Sequence, residues 1–520
     1  MSFMNAMKNE MLEYFNESVT ENGAVGYRTT GKDLLDINFA VASLRSASED
    51  EVIKRFKKAF FEDKVLAMKW LFFARDIRGG LGERRLFRTA MSFVADYEPD
   101  IVKRVIPLIP EYGRFDDMWS LLDDKALRPV VMEYVKKQLE SDIHNCNENK
   151  PVSLLAKWLP SCNASSADSK KYSKIIRQSL DMTESAYRKT LSWLRKYIDV
   201  VEVKMSAKQW GDIKYEAVPS RANLIYNSAF LRNDESRRRE FLTQLEKGEV
   251  KINADTLFPH DIIHKYFGGN DWRTRLKAYD ATIEGLWENL PDMVDGCGNT
   301  IVVADGSGSM NATIGNTNTT ALEVADALAI YFAERSSDEF KDKYITFSSR
   351  PRFVDMRSGK SLRDKLSIAL KHNEVSNTNI EAVFDLILNT AIHNNMRQED
   401  IPANILIISD MEFDVAVCCN GRSYGGVSAN LFKIIETKYR NAGYKIPRLV
   451  FWNVNSRTNT IPVCENEMGV ALVSGFSVNI CKMVMSGNID PFECLLETLN
   501  SERYQPVADA LKVNSNKEMC

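Results

Sequence analysis

Residues 301–309 read Ile301-Val302-Val303-Ala304-Asp305-Gly306-Ser307-Gly308-Ser309. A short aliphatic run that ends in Asp and small residues is typical of a fully buried parallel strand leading into a loop. A second run of this kind, Ile405-Leu406-Ile407-Ile408-Ser409, is followed by Asp410. Loops at the carboxyl ends of parallel strands form the ligand crevice of an open α/β sheet. The two runs therefore predict a site around Asp305 and Asp410.

Hydroxyl side chains accompany these two aspartates. Ser307 and Ser309 follow Asp305, and Thr378 precedes an apolar helix that begins near Ile380. Carboxylate and hydroxyl oxygens are hard donors that suit Mg²⁺ or Mn²⁺. We therefore predict a divalent-cation site, with Mg²⁺ favoured and Mn²⁺ as the alternative, whose ligands are Asp305, Ser307, Ser309, Thr378 and Asp410. The competing interpretation is a structural turn in which Asp305 caps a helix and the glycines supply backbone freedom.

Composition excludes several classes of protein. A chain of 520 residues suggests two or more domains, and 44% hydrophobic with 27% charged residues is typical of a soluble globular protein. A formal net charge of −3 gives no overall attraction to a polyanion, so nucleic-acid binding would need a local basic face. No secretion or membrane signal is visible. Nine cysteines without a Cys-x-x-Cys pair fit free thiols, and we predict a cytoplasmic protein.

The pattern of the chain changes near residue 295. Before it, amphipathic stretches predict an almost entirely helical half. After it, strands predicted near 301–304, 344–348, 405–409, 448–452 and 470–474 alternate with helices near 320–335, 361–371, 379–394 and 428–442. This alternation predicts a doubly wound sheet. We predict a helical-repeat domain over residues 1–295, an α/β domain over 296–490 and a helical tail over 491–520.

Several longer phrases resemble a known family. They are Arg75 to Arg85, Tyr112 to Asp117, Lys157 to Ser161, Met205 to Trp210, Val218 to Ala222, Ser409 to Asp414, Phe451 to Asn453 and Val473 to Ser477. Together they resemble a little-characterised family with the domain-of-unknown-function number 2828, which is similar in architecture to the TROVE (Ro autoantigen) proteins. The predicted cation ligands resemble the metal-ion-dependent adhesion site of von Willebrand factor A domains.

The resemblance carries implications for fold and function. It implies a HEAT-like α-solenoid, which in TROVE proteins closes into a ring, followed by a von Willebrand A domain. TROVE proteins bind misfolded small RNAs through the ring and Y RNAs on its outer surface. In von Willebrand A domains the hydroxyls bind the cation directly, the aspartates often act through water, and a partner's carboxylate completes the shell. The resemblance thus implies two kinds of partner, RNA and a protein that supplies an acidic residue to the metal site.

Two groups of basic residues are candidates for RNA contact. Cations that neutralise phosphate, together with aromatic rings that stack on bases, are typical of single-stranded RNA recognition. The candidates are Arg75, Arg78, Arg84 and Arg85 near a Gly-rich turn, and Arg188, Lys189, Arg195, Lys196, Lys204 and Lys208, interleaved with Tyr187, Trp193, Tyr197 and Trp210. Alternatively, these cations pair with Asp76, Glu83 and Asp199, with the aromatics in the core. The run Arg237-Arg238-Arg239 is predicted to be an exposed mixed-charge face.

An enzyme is the less favoured interpretation. A metal-dependent phosphohydrolase of the haloacid-dehalogenase type would need a second Asp at position 307, which is Ser. The sequence has no P-loop, and its five histidines suggest no catalytic triad. Glu412 and Asp414 either hydrogen-bond the waters of the metal or are solvated at the strand end. We predict a non-enzymatic RNA-binding scaffold, and the alternative is a protein–protein adaptor that does not bind RNA.

Overall fold

The computed structural model describes residues 3–22, 25–268, 276–294, 299–315, 317–336, 338–373, 378–413, 417–419, 422–424, 429–458, 460–462, 470–480 and 490–512. Its α-helices are α1 Phe3–Tyr14, α2 Asp33–Leu44, α3 Glu49–Glu62, α4 Lys64–Arg75, α5 Arg84–Tyr97, α6 Pro99–Val105, α7 Ile109–Tyr112, α8 Arg128–Asn147, α9 Leu155–Trp158, α10 Ala167–Ser179, α11 Glu184–Tyr197, α12 Val201–Ser206, α13 Ser220–Asn233, α14 Glu235–Glu246, α15 Pro259–Ile263, α16 Ala281–Glu288, α17 Ala321–Arg335, α18 Leu362–His372, α19 Ile380–His393, α20 Ala429–Asn441, α21 Pro491–Leu499 and α22 Gln505–Lys512. Its strands are β1 Glu17–Val19, β2 Val25–Tyr27, β3 Thr300–Asp305, β4 Lys343–Phe347, β5 Phe353–Asp355, β6 Asn404–Ser409, β7 Val417–Cys419, β8 Arg422–Tyr424, β9 Arg448–Asn453 and β10 Val470–Ser474.

Contacts divide the chain into two compact units, and each is described by itself. The sheet unit comprises Met1–Glu62 and Leu257–Thr498, and the helical unit comprises Asp63–Thr256 and Leu499–Cys520. The predicted ranges 1–295, 296–490 and 491–520 group the chain differently and stay predictions of domain organisation. The boundary at 295 and the last residues of the tail, 513–520, lie outside the described residues.

The sheet unit contains a six-stranded sheet in the order β10-β9-β6-β3-β4-β5. The pairs along β10, β9, β6, β3 and β4 are parallel, whereas β5 pairs with β4 antiparallel at the edge. Along the chain this is the order 3-2-1-4-5-6 of doubly wound α/β folds, which reverses between β3 and β6. The helical half followed by a mixed, mainly parallel sheet is confirmed, and the edge strand β5 and the hairpin β1–β2 are additions to the prediction.

Both faces of the sheet are covered, which explains the continuous apolar runs. Ile301, Val303, Ile405 and Ile407 belong to the core cluster that includes α19 and the buried residues of α20. On α17, every residue from Ala321 to Ala333 is buried. A strand buried on both faces has no polar alternation to preserve, so β3 and β6 read as unbroken aliphatic sequence.

The helical unit begins with the helices α4 and α5, which contact each other and are joined by the Gly-rich turn. Asp63 caps α4 by accepting a hydrogen bond from the backbone N of Leu66 at 2.9 Å. A Cβ atom on Gly80 would lie 2.0 Å from the carbonyl oxygen of Phe73, so only glycine fits at this position. At the C-terminus, α22 packs on α4 and α6 within the same unit. Among the described helices, none has the length and apolarity needed to cross a lipid bilayer.

Candidate cation site and basic surfaces

The two predicted strand-end carboxylates lie on neighbouring strands. β3 and β6 are adjacent and in parallel register, with Ala304 opposite Ile408. Asp305 is therefore the last residue of β3, and Asp410 follows the end of β6 at the same sheet edge. Both residues are almost inaccessible to solvent, at 2% and 1% exposure. The sheet thus delivers two buried carboxylates to the point where the strand order reverses, which is where such folds bind ligands.

The hydroxyls converge on these carboxylates. The backbone N of Ser307 donates to Asp305 Oδ1 at 2.9 Å, and the Ser307 and Ser309 hydroxyl oxygens are 3.0 Å apart. The Ser309 hydroxyl also hydrogen-bonds the Asp410 carboxylate. The Ser409 hydroxyl, which is not among the predicted ligands, donates to Asp305 Oδ2 at 2.6 Å. Four of the five predicted ligands are therefore joined in one hydrogen-bonded group.

The fifth predicted ligand, Thr378, is buried at 7% exposure two residues before α19 begins. The helix itself is capped by Asn379, whose side chain accepts a hydrogen bond from the backbone N of Ala382 at 3.0 Å. Asn379, and not Thr378, is therefore the residue that caps α19. Its place in the cation shell stays a prediction.

The donor set has the chemistry of a hard-cation site. Burial raises the pKa of the Asp410 carboxyl, and the nearby Asp305 charge raises it further. Two carboxylates that are desolvated together destabilise each other's ionised form, and a divalent cation would reverse that effect. Within the described part of the chain there is no group of three or more His, Cys, Asp or Glu suited to a metal. The predicted site has two carboxylates, so its remaining ligands would have to be hydroxyls and water.

A guanidinium lies beside this group. Arg457 Nη2 is 3.4 Å from Asp410 Oδ2, and its Nη1 donates to the Ser309 carbonyl oxygen at 3.3 Å. The same side chain forms an ion pair with Glu21. Arg457 follows β9 in the sequence without any strand-end motif, so the sequence offered no signal for it.

The Glu412 side chain connects two loops at the sheet edge through hydrogen bonds to their backbone. Its Oε1 accepts hydrogen bonds from the backbone N of Arg457 at 2.7 Å and of Thr458 at 2.9 Å. Its Oε2 accepts one from the backbone N of Glu21 at 2.7 Å. With 2% exposure Glu412 is not solvated, so the interpretation as a solvated strand-end residue is wrong. Asp414, named with it, lies outside the described residues.

The basic residues near the Gly-rich turn are largely paired. Asp117, fully shielded from solvent, accepts hydrogen bonds from Arg75 Nε at 2.7 Å and Arg88 Nε at 2.8 Å. Asp116 pairs with Arg84, while Arg78 and Arg85 are exposed. Arg75 and Arg84 thus form ion pairs, as the alternative interpretation predicted. Their partners, however, are Asp117 and Asp116 and not the aspartate and glutamate nearby in the sequence.

The second basic group divides into structural and surface residues. Arg195 donates to the carbonyl oxygens of Ala156 at 2.8 Å and Leu159 at 2.7 Å, and Lys204 pairs with Asp199 as the alternative anticipated. The exposed members of the group are Arg188, Lys189, Lys196 and Lys208. Of the interleaved aromatics, Tyr187 is buried, whereas Trp193 is 40% exposed.

The prediction that residues 237–239 form an exposed face is wrong for Arg238. This side chain is fully buried in the helical unit, with its guanidinium 4.9 Å from the Tyr215 ring centre and 5.3 Å from that of Phe230. Its Nη1 donates to Asn223 Oδ1 at 3.2 Å. Aromatic faces and an amide oxygen offset the cost of burying the charge.

Comparison with known proteins gives relatives along most of the chain. A viral protein, "Uncharacterized protein L728" of Acanthamoeba polyphaga mimivirus, is 28% identical over 548 aligned residues, which cover 96% of this chain and 91% of the relative. The crystal structure of the Deinococcus radiodurans RO (RSR) protein matches with a TM-score of 0.44 and 14% identity, covering 83% of this chain and 93% of that one.

Two family models match the chain. Residues 299–517 match the model described as Domain of unknown function (DUF7788). Residues 20–107 and 123–299 match the model described as Domain of unknown function (DUF2828), as the resemblance of the sequence phrases predicted. Because the second model covers just over half of the residues, the chain belongs to the DUF2828 family.

Proposed function

We propose that this protein is a non-enzymatic, cytoplasmic RNA-binding scaffold of the TROVE type. The helical unit would be a HEAT-like repeat that binds small or misfolded RNA. The sheet unit would be a von Willebrand A domain that docks an acidic side chain of a protein partner through a divalent cation. The strand order that reverses between β3 and β6, with the hydroxyl and carboxylate group at the reversal, supports the second assignment.

The observation that carries the RNA proposal is the exposed face of α11. Arg188, Lys189 and Lys196 are exposed there beside the exposed Trp193. In the part of the chain that the structure describes, no carboxylate forms an ion pair with any of the three cations. Residues three and four positions apart lie on the same side of a helix, so charges and ring form one surface. Free cations next to an exposed ring suit the phosphates and unstacked bases of single-stranded RNA.

A charge-matched comparison tests this surface. The test variant carries Arg188→Gln, Lys189→Gln and Lys196→Gln. The control carries Lys103→Gln, Lys137→Gln and Arg239→Gln, which remove three cations of the same unit that already pair with carboxylates. The salt dependence of binding is the slope of the logarithm of the association constant against the logarithm of the salt concentration. The loss of three phosphate contacts should reduce the magnitude of this slope by about 2 for single-stranded RNA. Fluorescence anisotropy with a short labelled RNA measures this slope.

The result distinguishes the RNA proposal from the adaptor alternative. We expect the control variant to retain the wild-type slope and affinity. Equal slopes for the test and control variants would refute the α11 surface. Absence of RNA binding by the unaltered protein at physiological salt would refute the RNA proposal as a whole, and would leave the protein–protein adaptor.

The cation proposal assigns roles to this chain's own residues. Ser307, Ser309 and Thr378 would contribute hydroxyl oxygens, and Asp305 and Asp410 would contribute charge, directly or through water. When bound, the cation would supply a Lewis-acidic position for a partner's carboxylate. We expect the double variant Asp305→Ala and Ser307→Ala to lose Mn²⁺ binding, measured by electron paramagnetic resonance of free Mn²⁺. Unchanged Mn²⁺ binding in this variant would refute the site.

A further inference from the structure

Arg457 lies beside the candidate cation site. Its guanidinium contacts Asp410 Oδ2 at 3.4 Å and the Ser309 carbonyl oxygen at 3.3 Å. It therefore touches both the β6 side and the β3 side of the site. A single positive charge in this position offsets part of the charge of the two buried carboxylates. The same proximity makes Arg457 repulsive towards a divalent cation bound between them.

The position of Arg457 is fixed from two sides. Its backbone N donates to the buried Glu412 carboxylate at 2.7 Å, which holds the loop after β9. Its guanidinium pairs with Glu21, a residue from the opposite end of the chain within the same compact unit. Glu21 is itself held, because its backbone N donates to Glu412 Oε2 at 2.7 Å. One buried carboxylate thus aligns both members of the ion pair.

The segment that carries Glu21 is docked along its length. The Thr20 hydroxyl donates to the Phe413 carbonyl oxygen at 2.7 Å, and the Asn22 side chain donates to the Glu412 carbonyl oxygen at 2.6 Å. Tyr27 forms an isolated antiparallel bridge with Ile461. Several hydrogen bonds to backbone and side-chain atoms therefore place Glu21, and its side chain is 58% exposed whereas that of Arg457 is 32% exposed.

We propose that Arg457 and Glu21 form a charge gate over the cation site. Arg457 competes with the divalent cation for Asp410, and Glu21 draws the guanidinium outwards and lowers its repulsion of the cation. This proposal rests on the proposed function, because it presupposes that the site binds a cation. It assigns two residues with opposite effects on cation affinity, although both lie outside the predicted ligand set.

Removing each charge should change the affinity in opposite directions. Arg457→Gln should tighten Mn²⁺ binding about tenfold, because a positive charge beside a dication is removed. Glu21→Gln should weaken Mn²⁺ binding about threefold, because Arg457 then turns wholly towards Asp410. If Glu21 acts only through Arg457, the double variant should bind Mn²⁺ as tightly as Arg457→Gln alone.

The experiment measures Mn²⁺ binding to the full-length chain by electron paramagnetic resonance, in parallel with Mg²⁺ competition. The matched controls are Arg397→Gln and Glu399→Gln, an exposed ion pair of the same unit that precedes β6 and so lies at the opposite sheet edge. Both controls should retain the wild-type affinity. Circular dichroism melting of every variant checks that the fold is retained.

The possible outcomes distinguish failure of the charge gate from failure of the cation site. Weaker binding in both gate variants would mean that the ion pair only holds the loops, and it would overturn the gate. Wild-type affinity in Arg457→Gln would overturn the gate and leave the cation site intact. Absence of Mn²⁺ binding in both the wild type and Arg457→Gln would overturn the cation site and the gate together. Binding that appears only in Arg457→Gln would support the gate in its strongest form.

Discussion

Asp117 offers the most direct test of the ion-pair network in the helical unit. The carboxylate is fully shielded and accepts hydrogen bonds from Arg75 Nε at 2.7 Å, Arg88 Nε at 2.8 Å and the backbone N of Arg114 at 3.0 Å. The Arg75 side chain is itself only 5% exposed. Asp117→Asn replaces one acceptor oxygen with a donor and leaves the Arg75 charge buried without its counter-ion. We expect a loss of about 3–5 kcal/mol in the free energy of unfolding.

The neighbouring aspartate is the control. Asp116 is 16% exposed, and its partner Arg84 is 42% exposed. An ion pair in contact with solvent contributes only about 0.2–1 kcal/mol, so Asp116→Asn should cost much less than Asp117→Asn. With an m-value of about 2–3 kcal/mol/M for a unit of this size, the Asp117 variant should unfold at a urea concentration about 1–2 M lower.

The assay should report on the helical unit within the full chain. Hydrogen exchange followed by mass spectrometry in urea resolves peptides from α4 and α5, and so separates this unit from the sheet. Equal losses of protection in Asp116→Asn and Asp117→Asn would refute the reasoning, because it depends on the difference in burial.

The Asp117 effect also has a definite pH dependence. Burial alone would raise the pKa of the Asp117 carboxyl, but Arg75 and Arg88 lower it below its ordinary value of 3.8. A carboxyl whose pKa is lower in the folded state stabilises the fold above the unfolded pKa, and this stability is lost as the pH falls through the folded value. The difference between wild type and Asp117→Asn should therefore persist from pH 7 to pH 5 and shrink below pH 3.8.

Two further changes test other parts of the structure. Burial raises the pKa of the Asp326 carboxyl to about 7, so this group lowers the stability of the fold progressively as the pH rises from 3.8 to about 7. Asp326→Asn should therefore raise the melting temperature at pH 8 and leave it unchanged near pH 4. An equal stabilisation at both pH values would contradict the assignment. Gly80→Ala should destabilise the helical unit by about 1–3 kcal/mol, since its Cβ would meet the Phe73 carbonyl oxygen, whereas Gly211→Ala has open space and should be within about 0.5 kcal/mol of wild type in the same urea titration.

The strands of the sheet were predictable because their sequences carry the full pattern. β3 and β6 are buried on both faces, so each is a continuous aliphatic run that ends at a carboxylate. β1 and β2 have three residues each and contain Glu17, Ser18 and Gly26. Segments this short and polar contain no detectable alternation. Their tertiary contact, the bridge between Tyr27 and Ile461, joins residues that are far apart in the sequence.

Charged residues were harder to assign because their partners are distant in sequence. The sequence suggests local partners such as Asp76 for Arg75, whereas the structure pairs Arg75 with Asp117 and Asp76 with Arg503. Arg238 lies in a run of arginines that suggests a solvated face, yet three aromatic rings surround it. Spacing along a helix predicts which residues share a face, but the identity of the element that packs on that face is a tertiary property.

The carboxylates at the sheet edge differ in how well the chain compensates their charge. The Glu412 carboxylate accepts hydrogen bonds from the backbone N of Glu21 at 2.7 Å, of Arg457 at 2.7 Å and of Thr458 at 2.9 Å, and these donors stabilise its charge. Asp410 has longer contacts, at 3.2 Å from the backbone N of Glu412 and 3.4 Å from Arg457, besides the Ser309 hydroxyl. A buried carboxylate with weak compensation gains most from a bound cation. For the proposed cation site, this difference favours Asp410 as the carboxylate that binds the cation, whereas Glu412, two residues further along, holds the surrounding loops in place.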